Sequence, residues 1–428
     1  MDSSDFSING VYWEIKVNVY LKCEYIYYMI LYQFYSMKRR TFYKYLDKLF
    51  GTPIVILLAL FFKRYNRLPG VNIKNILLIK FAAIGDTILL IPTLRKIKEK
   101  FPEAKLTFIC SPINESIVKK IPYVDEIVVI KVYSFLTNPF FFLRTIKQLR
   151  KLKYDIVIDA GQWERISVIL LAFLRYHFSV GFKTRKQFKH FLYDDIALHK
   201  PDKHELENFL DLLIPIGITI DDKDKNLEYF LSEKDFKFAD DFWEKHGLFN
   251  HTVICFHPGC GENGAPREWA IENYIALGKR LLDYDENIRI LITGAPVEVE
   301  RCNEISTGIG ANTINTAGKF ELDNVVALVS KSKLVVCSNT GMLHIAGSVG
   351  VKTLGLHGPT NPVKWSSYSK NSVVIQSDKF CSPCLYLGHE YGCQTPTCMA
   401  HITVDDVFIS IRKALNPELF RERKVVKI

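Results

Sequence analysis

The sequence predicts an α/β chain of two similar domains, each with a parallel sheet, whose strand ends face a common cleft. Three observations predict it. From Ile76 to Phe101 the chain reads ILLIKFAAIGDTILLIPTLRKIKEKF: a buried strand, a loop of small residues ending Gly85-Asp86, and an amphipathic helix opening after that aspartate. A second unit of this kind lies far downstream, with Lys333 to Val336 as strand, Cys337-Ser338-Asn339-Thr340-Gly341 as turn, and a helix from Met342 that carries His344. Between these units strands and helices alternate, the order that gives parallel sheets with helices on both faces.

Size and charge frame the reading. A chain of 428 residues exceeds what a single core usually supports, so two domains and an appendage are expected: an extension over 1–70, a first domain over 71–235 and a second over 236–428. The net charge of +10 calls for acidic company: nucleic acid, an anionic membrane or phosphorylated small molecules. The lysines and arginines are spread out and no nucleic-acid-binding module is recognised, so nucleic acid is not expected as a partner. Of ten cysteines, six, among them Cys110, Cys255 and Cys337, read as reduced buried thiols.

The elements follow in order. Residues 1–36 are crowded with tyrosine and lack a period, and Met37-Lys38-Arg39-Arg40 reads as an alternative start, which an intact mass would test. Pro53 to Phe62 (PIVILLALFF) is apolar but about half the roughly 20 residues that span hydrocarbon. With Lys38, Arg39, Arg40, Lys44 and Lys48 before it and Lys63, Arg64 and Arg67 after, it reads either as an interfacial anchor on an anionic leaflet or as a helix packed on the first domain. Strands are then expected at Ile76 to Lys80, Lys105 to Ile109, Glu126 to Ile130 and Tyr154 to Asp159, with a helix around Phe141 to Leu152. The charged run Asp221 to Lys225 marks the interdomain crossing, followed by a helix from Lys234 to His246. In the second domain strands are expected at Thr252 to Phe256, Ile288 to Ile292, Leu334 to Val336 and Thr353 to Leu356.

Several residues stand where chemistry is done. Asp86, at a strand's carboxyl end, either caps the following helix or takes a proton from an attacking hydroxyl, and the two roles are compatible. The loop His257 to Gly264 is glycine-rich, and Gly259 within it lets backbone amides approach an anion. Arg267, two residues before Trp269, is a phosphate ligand or a solvated surface arginine. Glu298 either meets a ribose diol or sits favourably at a positive helix end. Asn339-Thr340-Gly341 opens a helix whose free amides suit an anion, and His344, one turn in, faces the cleft or packs inside. Cys381, Cys384, Cys393 and Cys398 have a spacing compatible with a four-sulfur zinc site, with a redox pair or four free thiols as the alternatives.

Taken together these residues resemble the heptosyltransferases of glycosyltransferase family nine, which build the inner core of lipopolysaccharide. The resemblance runs from about Lys74 to Ala414 and rests on four motifs in order: IKFAAIGDTILLIPTLRKIKEKFPEAKLTFI, FHPGCGENGAPREW, TGAPVEVER and CSNTGMLHIAGSVGVKTLGLHGPTNP. It implies a GT-B fold, two Rossmann-like domains with the acceptor on the first and the nucleotide sugar on the second. It implies inverting transfer of heptose from ADP-heptose, with no metal needed for catalysis. Asp86 matches the family's proposed base, Arg267 its basic phosphate ligand, and Glu298 its ribose-binding glutamate. Asn339-Thr340-Gly341 matches an Asp-Thr-Gly phosphate loop with asparagine in place of aspartate, and His344 matches the family's histidine. Gly259 and Trp269 fall in the same donor-side motif, and the cysteine cluster resembles one found in part of the family.

The expected function is therefore heptosyl transfer onto a lipid-linked acceptor at the cytoplasmic face of the inner membrane, with the protein peripheral to it. The rivals are a GT-B enzyme using another nucleotide sugar or another cell-surface glycan, and an inactive membrane-peripheral nucleotide-binding protein. A nicotinamide oxidoreductase is disfavoured, because the first loop, Phe81 to Asp86, offers one glycine where that chemistry wants three.

Overall fold

The computed structural model describes residues 39–62, 67–70, 72–132, 134–261, 264–387, 393 and 397–416. The expectation for residues 1–36 lies outside them. Six parallel strands form the first sheet, β1 (Asn75–Ile79), β2 (Lys105–Cys110), β3 (Glu126–Val129), β4 (Tyr154–Asp159), β5 (Tyr176–Lys183) and β6 (Asp195–Leu198), in the order β3-β2-β1-β4-β5-β6. The second sheet holds β7 (Thr252–His257), β8 (Ile288–Ile292), β9 (Thr313–Asn315), β10 (Leu334–Ser338), β11 (Lys352–His357) and β12 (Ser372–Gln376), in the order β12-β11-β10-β7-β8-β9. Read from its other edge the second order repeats the first, strand for strand. Each sheet therefore reverses direction once, between β1 and β4 and between β7 and β10, and open α/β sheets bind ligands outside the strand ends at such a reversal.

Side-chain alternation along the strands explains the layers. On β1, Ile76 and Leu78 join one buried cluster while Leu77 and Ile79 join another on the opposite face. On β10, Val335 and Cys337 belong to the same cluster as Ile76 and Leu78, whereas Leu334 and Val336 enter a third. One apolar core thus runs through both domains and holds them together.

Three boundaries differ from expectation. The helix after β1 is Ile84–Lys100, so it opens two residues before Asp86 and not after it. The domain boundary expected at 235/236 falls inside the helix Glu233–Lys245, which packs on Leu322–Ser330 of the second domain, so the change of domain precedes Ser232. The apolar stretch from Pro53 is the second half of a longer helix, Arg39–Phe62, with Pro53 in its interior. That helix packs on Arg165–Ala172 and Lys189–Leu192 through its buried Val55 and Gly51, while Leu49, Phe50, Leu57, Leu60 and Phe61 stay exposed. Among the described residues no helix is long and apolar enough to cross a membrane.

Candidate functional site

The two sheet reversals bring the candidates together. Asp86 follows β1, and its side chain is 21% exposed. It does not cap its helix: the N-cap position is Ala83, and Asp86 lies in the first turn. Instead its Oδ2 accepts from Lys80 Nζ at 2.8 Å and from Gln162 Nε2 at 3.0 Å, while Oδ1 has no partner among the described residues. Lys80 is buried. Burial pulls its ammonium down, but the charges of Asp86, Glu164 and Glu205 outweigh that and raise its pKa above the ordinary lysine value. A lysine that stays charged fixes the orientation of Asp86 and leaves one carboxylate oxygen facing outward.

Behind this pair lies a buried polar chain that the sequence did not disclose. Gln162, just past β4, also accepts from Lys80 and donates to Glu205 Oε1 at 2.8 Å. Glu205 further accepts from His199 Nε2 at 2.9 Å and from Lys364 Nζ at 2.5 Å. Burial pushes the Glu205 carboxyl up, yet His199 and Lys364 hold it well below the usual range. Lys364 belongs to the second domain and Glu205 to the first, both fully buried, so an ion pair crosses the joint and ends, through Gln162, on Asp86. The available signal was a lysine closing an otherwise apolar strand, since such a charge needs a partner.

The donor side faces it. Thr340 caps the helix Gly341–Ser348, its hydroxyl accepting from Met342 N at 3.2 Å. This helix and the one carrying Asp86 meet so closely that a Cβ placed on Gly85 would stand 3.2 Å from Gly341 Cα and 3.0 Å from the His344 ring. His344 is buried at this junction, its Nδ1 has no hydrogen-bond partner, and burial together with the nearby His204 and His357 lowers its pKa to about 3. It is therefore neutral at physiological pH. Arg267 donates through Nη1 to the main-chain oxygen of Asn339 at 2.9 Å, which sets its guanidinium beside the loop opening that helix.

The remaining candidates divide. Glu298 accepts from Gly261 N and Ala295 N, both at 2.8 Å, and so staples the glycine loop to the loop after β8. Gly259 lies against that carboxylate, with no room for a side chain. Trp269 is a correction: it is sealed in the second core, donates Nε1 to Ile402 O at 2.8 Å and packs edge-on to Tyr274, so its ring reaches no ligand. At the cysteine cluster, burial raises the Cys398 thiol, and Cys384, Cys393 and Cys381 raise it further. Among the described residues no three His, Cys, Asp or Glu side chains stand together as metal ligands. Cys110, Cys255, Cys260, Cys302 and Cys337 are buried and free.

Comparison with known proteins agrees with this architecture. The model of glycosyltransferase family 9 (heptosyltransferase) matches residues 142–394. The lipopolysaccharide core heptosyltransferase OpsX of Haemophilus influenzae is 25% identical over 306 residues, covering 71% of this chain and 84% of that protein. A family 9 glycosyl transferase from Veillonella parvula superposes with a TM-score of 0.68 at 19% identity, over 82% of this chain and all of the other. An Escherichia coli heptosyltransferase, WaaC with ADP, superposes with a TM-score of 0.61 at 20% identity, over 79% of this chain and 99% of that one. The family model spans more than half of the chain and takes in the Gln162 loop, Arg267, Glu298 and the Asn339 turn; the chain belongs to glycosyltransferase family 9.

Proposed function

We propose that the protein transfers heptose from ADP-heptose to a lipopolysaccharide inner-core acceptor with inversion at the anomeric carbon. The observation that carries this reading is the free Oδ1 of Asp86, held by Lys80 and Gln162 opposite the amides of the helix Gly341–Ser348. An acceptor hydroxyl oxygen attacks the anomeric carbon from the first-domain side and passes its proton to Asp86. The bond from that carbon to the diphosphate oxygen breaks on the other side and ADP leaves. Charge builds on the diphosphate as the bond opens, so Arg267 and the amides of Thr340 and Gly341 bind the transition state more tightly than the ground state. No metal enters any of these steps. Glu298 meets the ribose through lone pairs that its two amide partners leave open, and neutral His344 offers its unpartnered Nδ1 at the junction.

The named relatives support the donor and acceptor classes: one is a lipopolysaccharide core heptosyltransferase and another a heptosyltransferase solved with ADP. In this reading the acceptor is lipid-linked and the protein works peripherally at the cytoplasmic leaflet of the inner membrane, held by residues 38–67, a reading supported by their basic and apolar composition. Asn339, where the family resemblance implies an aspartate, favours one rival, an inactive nucleotide-binding protein, which ADP release in the presence of acceptor excludes. A structural zinc on Cys381, Cys384, Cys393 and Cys398 is a further part of the proposal, supported by their spacing in the sequence and by the influence of the other three on the Cys398 thiol; metal analysis of protein purified without chelator tests it.

Asp86→Asn tests the reading. Removing a general base lowers turnover by about 10²–10⁴-fold. The half-saturating ADP-heptose concentration is expected to stay within a few-fold, because in this reading Asp86 acts on the acceptor hydroxyl and not on the donor. Turnover close to that of the unaltered enzyme would remove Asp86 from its role, and turnover only with another nucleotide sugar would replace the donor.

A further inference from the structure

The chain's basicity is concentrated. Residues 38–67 carry eight lysines and arginines against the single acid Asp47, and residues 131–153 carry six with no acid at all. These two segments hold fourteen of the chain's 56 basic residues and one of its 46 acidic ones, so the remainder has 42 basic against 45 acidic. The positive charge that the sequence shows as spread out is thus the property of two helices and their flanks.

Those helices form one face. The helix Arg39–Phe62 leaves Leu60 and Phe61 each 76% exposed, and the helix Pro139–Leu149 leaves Phe140 77% and Leu143 61% exposed. Their surfaces are joined by rings in contact: Phe62 on Phe173 at 5.6 Å, Phe173 on Phe142 at 5.8 Å, and Phe142 on Phe135 at 5.2 Å. Beside this apolar band an open depression is lined by Leu143, Ile146, Lys147, Arg150, Lys151 and Arg175. None of those four cations, nor Arg144, is in an ion pair among the described residues. Monomeric proteins rarely leave so continuous an apolar band uncovered.

We infer that the helix Pro139–Leu149 is a second membrane-seated element, so that it and the helix Arg39–Phe62 bind together an anionic bilayer, lipid phosphates entering the Lys147–Arg150–Lys151–Arg175 depression. Charge selects this occupant. A second copy of the chain would bring two unneutralised basic rims together, whereas an anionic leaflet neutralises them and takes the apolar band into its headgroup boundary. The inference rests on the membrane placement in the proposed function and extends it to a region outside the N-terminal extension.

The face is also coupled to the reaction. Asp47, on the helix Arg39–Phe62, accepts from Arg165 N and Arg165 Nη1, each at 2.9 Å, and the helix comes so close that a Cβ placed on Gly51 would stand 3.0 Å from the Arg165 side chain. Arg165 is three residues beyond Gln162, which holds Asp86. The membrane-seated helix is therefore locked to the loop that borders the acceptor side, and a lipid-linked acceptor rising from the leaflet reaches Asp86 along this edge.

The test is co-sedimentation of the full chain with phosphatidylcholine vesicles, with and without phosphatidylglycerol. The variants are R144Q/K147Q/K151Q and F140S/L143S. Each basic residue near an anionic surface is worth about fivefold in partitioning, so the triple variant should lose about a hundredfold on the anionic vesicles. The double variant should weaken binding to them as well, and both should release ADP normally with a soluble, deacylated acceptor. Sedimentation equal to that of the unaltered protein, equal binding to neutral vesicles, or a dimer in light scattering that the variants dissociate would each overturn the inference. If vesicles bind as expected and no acceptor is glycosylated, the proposed function fails while this inference stands.

Discussion

Lys364→Met tests whether the two domains are held closed by the charge at their joint. The Lys364 ammonium and the Glu205 carboxylate are both buried, and Lys364 also donates to Lys200 O at 3.3 Å. Removing one partner of a buried pair costs about 3–5 kcal/mol, because the other charge is left without compensation. Glu205 keeps His199 and Gln162, so the low end, about 3 kcal/mol, is expected. For domains of this size each kcal/mol moves the melting temperature by about 2–4 °C, giving a fall of about 6–12 °C. The pH dependence fixes the sign. Glu205 has its carboxyl well below its unfolded value, so its stabilisation is complete above the unfolded pKa and is lost as pH falls through the folded one. Without Lys364 the folded value rises, and the acid loss of stability should begin at higher pH than in the unaltered protein. Calorimetry from pH 7 downward, with the double variant K364M/E205Q as reference, reads both effects. The double variant should recover part of the loss, since it leaves no orphaned charge. A single variant within 1 °C of the unaltered protein at every pH would refute the latch.

Three further outcomes are expected. Gly85→Ala puts a methyl 3.2 Å from Gly341 Cα, so the two helices must separate by a few tenths of an ångström; overpacking of this kind costs about 1–3 kcal/mol, and both donor affinity and turnover should fall in steady-state assays. Gly259→Ala would place its methyl about 2 Å from the Glu298 carboxylate, breaking the staple, and ADP binding by calorimetry should weaken at least tenfold while melting changes little. His344, neutral in the fold with its pKa near 3, must gain a proton on unfolding between pH 6.5 and that value, so stability falls as pH drops through this window; His344→Gln should flatten that limb in urea titrations.

The parts of the site legible in the sequence are those written in a few neighbouring residues. Asp86 at a strand end, the Asn339-Thr340-Gly341 helix opening and the glycine loop each announce themselves within one strand-turn-helix unit, and the structure brings them to the two sheet reversals. Gln162, Glu205, His199 and Lys364 were illegible because each acquires its role from a partner at a distance; Gln162 and Asp86 are 76 residues apart. Trp269 misled for the converse reason: adjacency to Arg267 in a motif was read as adjacency to a ligand, while its indole serves the core. Of the two places the sequence offers for the domain change, 235/236 falls inside a helix whose start is itself legible, for Ser232 and Asp235 form a reciprocal capping box three residues apart, whereas the charged run Asp221 to Lys225 lies before it. The concentration of basic residues in 38–67 and 131–153 is hard to see because a composition total conceals where the charges lie.

Closure at Gly85 and Gly341 raises an electrostatic question that the Asn339 substitution helps to answer. Two helices from different domains abut N-terminus to N-terminus, Ile84–Lys100 against Gly341–Ser348, and each end carries about half a positive charge. Like ends in contact repel, and Arg267 adds a full positive charge beside one of them. Asp86, in the first turn of the first helix, offsets part of this, but Lys80 neutralises it in turn. The junction is therefore short of negative charge, and more so with asparagine at 339 than with aspartate. A diphosphate supplies what is missing, so donor binding and domain closure favour each other. Asn339 keeps its structural task through its main-chain oxygen, which Arg267 holds whatever the side chain. Replacing the family's carboxylate by an amide at this point strengthens the demand for a bound diphosphate and leaves the placement of its arginine intact.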